Sequence, residues 1–231
     1  MKGINFIEPL FHRVVSGEKT QTRRIIPCPV KAYGGIQAVK KDGKIIRVRA
    51  LDENERAIKP GSDDLEWILT PRYNVGEILY IKEPYCQDCN YIENENSKEW
   101  KGNGRILYRY RGDQISEHAK GSVCLGKWKN RLSMPAKFAR YFIEITDVRA
   151  ERLQDISDED CIREGIELYD GYDNLNGYAC IAVWKKIKGV DFFPPFDTPK
   201  QSYAALIDRI NGKGTWESNP FVWVYDFKLV K

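Results

Sequence analysis

Segments that alternate polar and apolar residues recur along the whole chain, and this recurrence limits its fold more than any other feature. Such alternation places apolar side chains on one face of a β-strand. The segments are INFI (4–7), IQAVKKDGKIIRVRAL (36–51), YNVGEILYIKEPY (73–85), RILYRYR (105–111), AKFARYFIEITDVRAERL (136–153) and NPFVWVYDFKLV (219–230). In 73–85 the strand follows the turn residues Asn74 and Gly76 and ends at Pro84, and 136–153 begins as a helical turn after Pro135 before it becomes a strand. The pair Asp42–Gly43 predicts a hairpin turn in the second segment. In the last, we expect one face to carry Phe221, Trp223, Tyr225, Phe227 and Leu229.

Helix signals are fewer and scattered. A first helix is predicted from about Pro9 to Gly17, where the glycine ends it. A short second helix begins after the N-cap Ser157 and ends at Gly165. A third begins with a capping box at Thr198, and its apolar face holds Tyr203, Leu206, Ile207 and Ile210. Because the helices do not alternate with every strand, the sequence predicts an α+β or small-barrel fold.

The 231 residues suit one compact domain that covers the chain. Three polar, weakly periodic segments are predicted to be loop insertions: 51–70, 86–104 and 166–197. Charged residues make up 30% and hydrophobic residues 42%, which is typical of a globular protein, and no apolar run is long enough for a membrane span. The net charge of +4 is compatible with a nucleic-acid or nucleotide ligand without requiring one.

Six cysteines without a signal peptide predict reduced thiols in the cytoplasm. Cys86 and Cys89 form a CxxC pair, but the second pair that a zinc site needs is absent, so we predict no metal. The sequence contains no P-loop and no dinucleotide fingerprint, and we predict no cofactor. Trp128 lies among Lys127, Lys129 and Arg131, which makes it a candidate platform for base stacking.

The stretch SGEKTQTRR (16–24) is the strongest candidate for chemistry. A threonine hydroxyl becomes a nucleophile when a base takes its proton, and a lysine can be that base if burial or a nearby cation lowers its pKa. Lys19 and Thr22 can converge only if the chain turns between them, because positions three apart on a strand point to opposite faces. Residue by residue, a basic, solvated loop explains the stretch better.

This stretch resembles the G-x-K-T-x-T-x-R signature of ASCH domains, which have a PUA-like β-barrel. The similarity extends to YNVGEILYIKEPY, WKNRLSMPAKFAR, ITDVRAERLQDISDEDCIREGI and GTWESNPFVWVYDF, in the same order as in larger ASCH proteins of bacteria and phages. The five blocks cover about half of the chain. The resemblance implies a PUA-like barrel flanked by short helices, with a cleft that binds RNA or a modified nucleoside.

One bacterial branch of that family hydrolyses N4-acetylcytidine with a lysine, a threonine and a glutamate, and these match Lys19, Thr22 and Glu164. The trailing arginine of the signature matches Arg24, and Arg23 is an additional one. We also predict that the substrate or nucleic acid contacts five residues: Arg23, Arg24, Lys82, Glu83 and Trp128. This chain is about twice as long as members of that branch, so insertions can reshape the cleft. The alternative is a non-catalytic RNA-binding module, or a ribonuclease.

Overall fold

The computed structural model describes most of the chain. The described residues are 1–27, 35–41, 44–51, 54, 56–57, 68–94, 97–113, 127–170, 176–179, 185–187, 190–192 and 196–231. The predicted Asp42–Gly43 turn and most of the predicted insertion at 51–70 lie outside them.

Many short strands and three α-helices make up the described residues. In chain order the strands are β1 (Gly3–Asn5), β2 (Gln21–Ile25), β3 (Gly35–Lys41), β4 (Lys44–Leu51), β5 (Ile68–Leu69), β6 (Ile78–Lys82), β7 (Tyr85–Asn94), β8 (Ser97–Tyr108), β9 (Phe142–Arg152), β10 (Glu167–Asp170), β11 (Asn176–Ala179), β12 (Lys185–Ile187), β13 (Val190–Phe192) and β14 (Phe221–Leu229). The α-helices are α1 (Glu8–Ser16), α2 (Asp158–Arg163) and α3 (Pro199–Asn211). The predicted α+β class is confirmed.

The chain forms two compact units. Unit 1 comprises Met1–His12, Ile78–Ile143 and Val230–Lys231, and unit 2 comprises Arg13–Glu77 and Glu144–Leu229. In unit 1, β1 pairs in parallel with β6, and β7 with β8 form an antiparallel hairpin. In unit 2, β14 lies between β9 and β2 and runs antiparallel to β2. The β structure is therefore mixed, and none of the described sheets closes into a barrel. The single domain stays a prediction.

The predicted helix ends are confirmed. Gly17 follows α1 with φ 84°, a conformation that favours glycine, and the Ser157 side chain accepts from the Asp160 N–H at the start of α2. Thr198 and Gln201 form the capping box of α3. The predicted apolar face of α3 was wrong at one position. Ile210 near the end of the helix is 40% exposed, whereas Tyr203, Leu206 and Ile207 are buried.

Three strand predictions need correction. The insertion predicted at 86–104 is mostly β7 and β8, a hairpin with a register shift between Gln87 and Cys89. The strand predicted at 105–111 ends at Tyr108, because a turn of 3₁₀ helix follows and Gly112 is left-handed. Side chains on both faces of β14 are buried from Val222 to Phe227, so burial is not limited to the predicted face, and Leu229 at its end is exposed.

The predicted insertion at 166–197 contains the short pairs β10–β11 and β12–β13. The hairpin predicted at 36–51 is confirmed by the antiparallel pairing of β3 with β4. Within the described ranges, every helix is too short or too polar to cross a membrane.

Candidate active site

Lys19 lies between α1 and β2, and its side chain is buried against the C-terminal end of α2. Its Nζ donates to the backbone carbonyls of Gln21 and Glu164, both at 2.7 Å, and contacts Glu164 Oε2 at 2.5 Å. The N–H of the next residue, Thr20, donates to the Arg163 carbonyl at 3.0 Å. Lys19 and Thr20 therefore satisfy two carbonyls that a helix end leaves without intrahelical partners.

Glu164 is the C-cap residue of α2, where the helix dipole disfavours a carboxylate. The charge of Lys19 offsets this effect, because it reaches both the carboxylate and the terminal carbonyl of Glu164. Lys19 is 1% exposed and Glu164 is 4% exposed, so the pair is almost fully removed from solvent. The structure thus brings the two residues into contact although 145 positions separate them.

Arg23 connects this pair to further charges in unit 2. Its Nη1 lies 3.5 Å from Glu164 Oε1, and its Nη2 donates to Glu151 at 2.6 Å and to Asp160 at 2.8 Å. We define the ion-pair network as four cations, Lys19, Arg23, Arg149 and Arg163, with four carboxylates, Glu151, Asp160, Glu164 and Asp226. Equal numbers of each sign make the network neutral overall.

The network holds Arg23 and Asp160 in their charged forms. Burial by itself would lower the pKa of Arg23, but Glu164 and the hydrogen bonds to Glu151 and Asp160 outweigh it and raise that pKa. Burial would likewise raise the pKa of Asp160, yet hydrogen bonds from Arg23 and Gln21 lower it. Arg23 and Asp160 are therefore fixed charges at neutral pH, and Lys19 is the one amine among the four cations.

Thr22 lies in β2, opposite Tyr225 of β14, and is 5% exposed. Its neighbour Arg23 projects from the other face of the strand. Within the described residues, the hydrogen bonds of Lys19 and Glu164 do not include the Thr22 hydroxyl. Direct contacts therefore join Lys19, Arg23 and Glu164, while Thr22 is buried three residues along the chain from Lys19. The catalytic roles stay predictions.

Arg24 shares a strand face with Thr22 and is half-buried. Burial lowers the pKa of Arg24, while Tyr73 and Glu164 act in the opposite direction. The Tyr73 and Tyr225 rings are 5.2 Å apart, and the Tyr225 hydroxyl accepts from the Arg72 N–H at 3.1 Å. The environment of Arg24 is thus largely aromatic, in contrast to the carboxylates around Arg23.

The other predicted contact residues, Lys82, Glu83 and Trp128, belong to unit 1. Lys82 Nζ donates to the Leu132 carbonyl at 3.0 Å. Glu83 is 0% exposed and accepts two hydrogen bonds from Arg140, at 2.9 and 2.7 Å. Trp128 is half-buried and lines a cavity of about 400 Å³. Their roles in binding stay predictions.

Most of the ion-pair network was not predicted from the sequence. Asp226 offered a signal, because it is a single acidic residue in the otherwise apolar run FVWVYDF, and such a residue requires buried partners. It receives Arg149 and Arg163 at 2.5 Å each, and Gln21 at 2.8 Å. Tyr203 of α3 was assigned to the core, and the structure also places the Arg23 Cζ 6.0 Å from its ring centroid.

In the part of the chain that the structure describes, no three His, Cys, Asp or Glu side chains are grouped to hold a metal ion. Cys86 is buried in β7 opposite Leu107, and Cys89 is in register with Gly102.

Comparison with known proteins gives no match: no family model, no curated protein and no solved structure is significantly similar to the chain. The resemblance to ASCH domains therefore rests on the sequence motifs.

Proposed function

We propose that this chain is a cytoplasmic ASCH protein with a PUA-like fold that hydrolyses an N-acylated pyrimidine nucleoside of the N4-acetylcytidine type. The observation that carries this proposal is the buried 2.5 Å contact between Lys19 Nζ and Glu164 Oε2. The family resemblance assigns these two positions to one catalytic site. Burial also distinguishes the pair from surface ion pairs, which have little effect on either partner.

A buried Lys–Glu pair is suited to moving protons. Removal from water penalises both charges, so transfer of a proton from Lys19 to Glu164 costs much less than it does in solvent. The ammonium group donates to the Gln21 carbonyl and to the carbonyl and carboxylate of Glu164, so both residues are held in fixed positions.

Thr22 supplies the nucleophile. Its hydroxyl oxygen attacks the acyl carbon while the Lys19–Glu164 pair takes the hydroxyl proton. The C–N bond then breaks, the pair returns the proton to the departing amine, and the nucleoside leaves with its free amino group. Water hydrolyses the acyl-threonine ester, the carboxylic acid departs and Thr22 is regenerated. Arg23, 3.5 Å from Glu164 Oε1, keeps the carboxylate in position throughout.

The site has to open before a substrate can enter, since Lys19, Thr22 and Glu164 are 1%, 5% and 4% exposed. After closure, the exclusion of water strengthens each electrostatic interaction with the reacting group. It also protects the acyl-enzyme from other nucleophiles. The ion-pair network keeps Glu164 in place during such an opening because it holds Arg23 from several sides.

Replacement of Thr22 by valine tests this function, with Thr20→Val as the matched control. Valine keeps the shape of threonine and removes the hydroxyl. With N4-acetylcytidine as substrate and mass spectrometry as readout, T22V should lose at least about 100-fold in turnover. T20V lacks a hydroxyl two positions earlier and should stay active, and both variants should unfold cooperatively. Wild-type turnover in T22V would contradict the proposed function.

A second candidate function, binding of single-stranded RNA, is favoured by the cavity beside Trp128. Three cations, Arg109, Lys129 and Arg131, line it, and none of its described lining residues is a carboxylate. Backbone hydrogen bonds between Lys129 and Tyr85 hold this segment against β7. A fixed aromatic ring among cations matches the stacking and phosphate contacts that single strands make.

This binding is tested by fluorescence anisotropy with a labelled RNA oligonucleotide over a range of salt concentrations. Affinity should fall steeply with salt, and Lys129→Ala should reduce the logarithmic slope by about 0.7 for the phosphate contact that it removes. Lys228→Ala, which removes an exposed lysine in unit 2, serves as the control and should bind as the wild type does. RNA affinity that does not change with salt would contradict this second function.

A further inference from the structure

The hydroxyl of Tyr203 is a buried polar group next to the candidate active site. Tyr203 is 0% exposed, and among the described residues its hydroxyl has no hydrogen-bond partner. Its ring lies 6.0 Å from Arg23 Cζ and meets the Trp216 ring edge to face, with the centroids 6.2 Å apart. Both neighbours belong to unit 2, as does Glu164. A phenylalanine would fill the same space without leaving a buried polar atom, so the hydroxyl requires an explanation.

Only a hydrogen-bond acceptor can satisfy this hydroxyl. Burial, followed by the charge of Glu164, raises the pKa of Tyr203 well above its ordinary value, so the group stays protonated and donates. Among the described residues, the carboxylates of the ion-pair network make no hydrogen bond to this hydroxyl, and they bind Lys19 and Arg23 instead. The missing acceptor therefore matches an oxygen atom of a ligand.

We propose that the Tyr203 hydroxyl donates a hydrogen bond to the acyl carbonyl oxygen of the substrate and stabilises the oxyanion that forms there. This role rests on the proposed function. When Thr22 attacks the acyl carbon, the electron pair of the C=O π bond moves to that oxygen. It returns when the C–N bond breaks and the amine leaves. A neutral donor in a dry site is most effective at this stage, because the bond strengthens as negative charge develops.

The choice of the acyl oxygen follows from the position of Tyr203. The Lys19–Glu164 pair exchanges its proton with the two atoms on either side of the acyl carbon, and the Tyr203 ring lies 6.0 Å from the Cζ of Arg23, which contacts Glu164. A ring carbonyl of the pyrimidine lies farther from the reacting carbon. A hydrogen bond to the acyl oxygen affects kcat, whereas a bond to the ring carbonyl would affect KM.

Tyr203→Phe tests this role, with Ser202→Ala as the matched control. Ser202 is adjacent on α3 and is also a fully buried hydroxyl without a described partner, but it is not part of the proposed site. With N4-acetylcytidine, Y203F should lower kcat by about 100-fold and leave KM nearly unchanged. Its Tm should equal or exceed the wild-type value, because the variant loses an unsatisfied polar atom. S202A should keep the wild-type kcat.

The outcomes of the Tyr203→Phe experiment separate the role of Tyr203 from the proposed function. A wild-type kcat in Y203F, or a raised KM at constant kcat, overturns the role of Tyr203 and leaves the proposed function intact. A lowered Tm that accompanies the loss of activity assigns the hydroxyl to stability and also overturns it. If the wild-type protein itself does not deacylate N4-acetylcytidine, the proposed function fails and the role of Tyr203 fails with it.

Discussion

Each unit of the molecule buries a glutamate against a cation, and the two pairs differ in chemistry. In unit 1, Glu83 receives both arms of the Arg140 guanidinium, and Arg140 Cζ lies 4.3 Å and 4.9 Å from the ring centroids of Tyr108 and Tyr141. In unit 2, Glu164 receives a lysine, which also donates to the backbone carbonyls of Gln21 and Glu164. Both glutamates are buried, but only the second faces a group that can lose its proton.

This difference separates a structural pair from one whose chemistry suits the proposed catalysis. Arginine stays charged at every relevant pH, and a bidentate, stacked guanidinium fixes geometry. Burial raises the pKa of Glu83 even though Arg140 acts in the opposite direction. Lysine is a point charge that deprotonates more readily when it is buried. We therefore assign stability to the pair in unit 1 and proton transfer to the pair in unit 2.

The largest expected effect is on turnover when each glutamate is replaced by glutamine. Glu164→Gln removes the group that shares a proton with Lys19, so kcat should fall by about 10²–10⁴-fold. Glu83→Gln is the matched change in unit 1 and should keep kcat near the wild-type value at a temperature where the variant is folded. Equal losses in the two variants would show that the assay reports folding, which would remove the distinction between the pairs.

Replacement of the two cations should change stability more in unit 1 than in unit 2, which is the reverse of the order expected for turnover. Arg140→Met leaves Glu83 buried without its partner and should lower the free energy of unfolding by about 3–5 kcal/mol. Lys19→Met should cost less, because Arg23 remains 3.5 Å from Glu164. Urea denaturation of both variants measures this difference. A greater loss of unfolding free energy in K19M than in R140M would show that Lys19 contributes mainly to stability.

A smaller, pH-dependent effect is expected at Asp160 in the ion-pair network. Because its pKa is lowered in the folded state, Asp160 stabilises the protein above its ordinary pKa and loses this contribution as the pH falls through the lowered value. Asp160→Asn should therefore lower the free energy of unfolding by about 1.5–3 kcal/mol at pH 7. The difference from the wild type should shrink on acidification below about pH 4.

The control for this prediction is Asp155→Asn, which changes an exposed aspartate and should stay within about 0.5 kcal/mol of the wild type. A difference between D160N and the wild type that is constant from pH 7 to pH 3 would contradict the assigned electrostatic cause.

Local signals predicted the helices well. Ser157, Gly165 and the Thr198 capping box act within a few residues of their own positions, so the sequence contains the whole interaction. The hairpin of β7 and β8 was missed because YCQDCNYIENENSKEWKGNGR lacks clean alternation and a recognisable turn signal. Its pairing depends on register across the two strands, which periodicity does not encode.

Long-range electrostatics could not be predicted in the same way. Arg149 and Asp226 are 77 positions apart, and only the folded sheet brings them together. For Lys19 and Glu164, the awkward place of a carboxylate at a helix end was a local signal, but the partner came from the family resemblance. No sequence feature distinguished Tyr203 from the core residues Leu206 and Ile207 that share its helix face.

The account depends most on covalent catalysis by Thr22 with the help of Lys19 and Glu164, and a single-turnover experiment tests it directly. Excess enzyme is mixed with N4-acetylcytidine, quenched in acid at successive times and mapped by peptide mass spectrometry. We predict that one acetyl group appears transiently on Thr22, together with release of cytidine, and that T22V never carries it. Release of cytidine by the wild type with no acetylated peptide at any time would contradict the account.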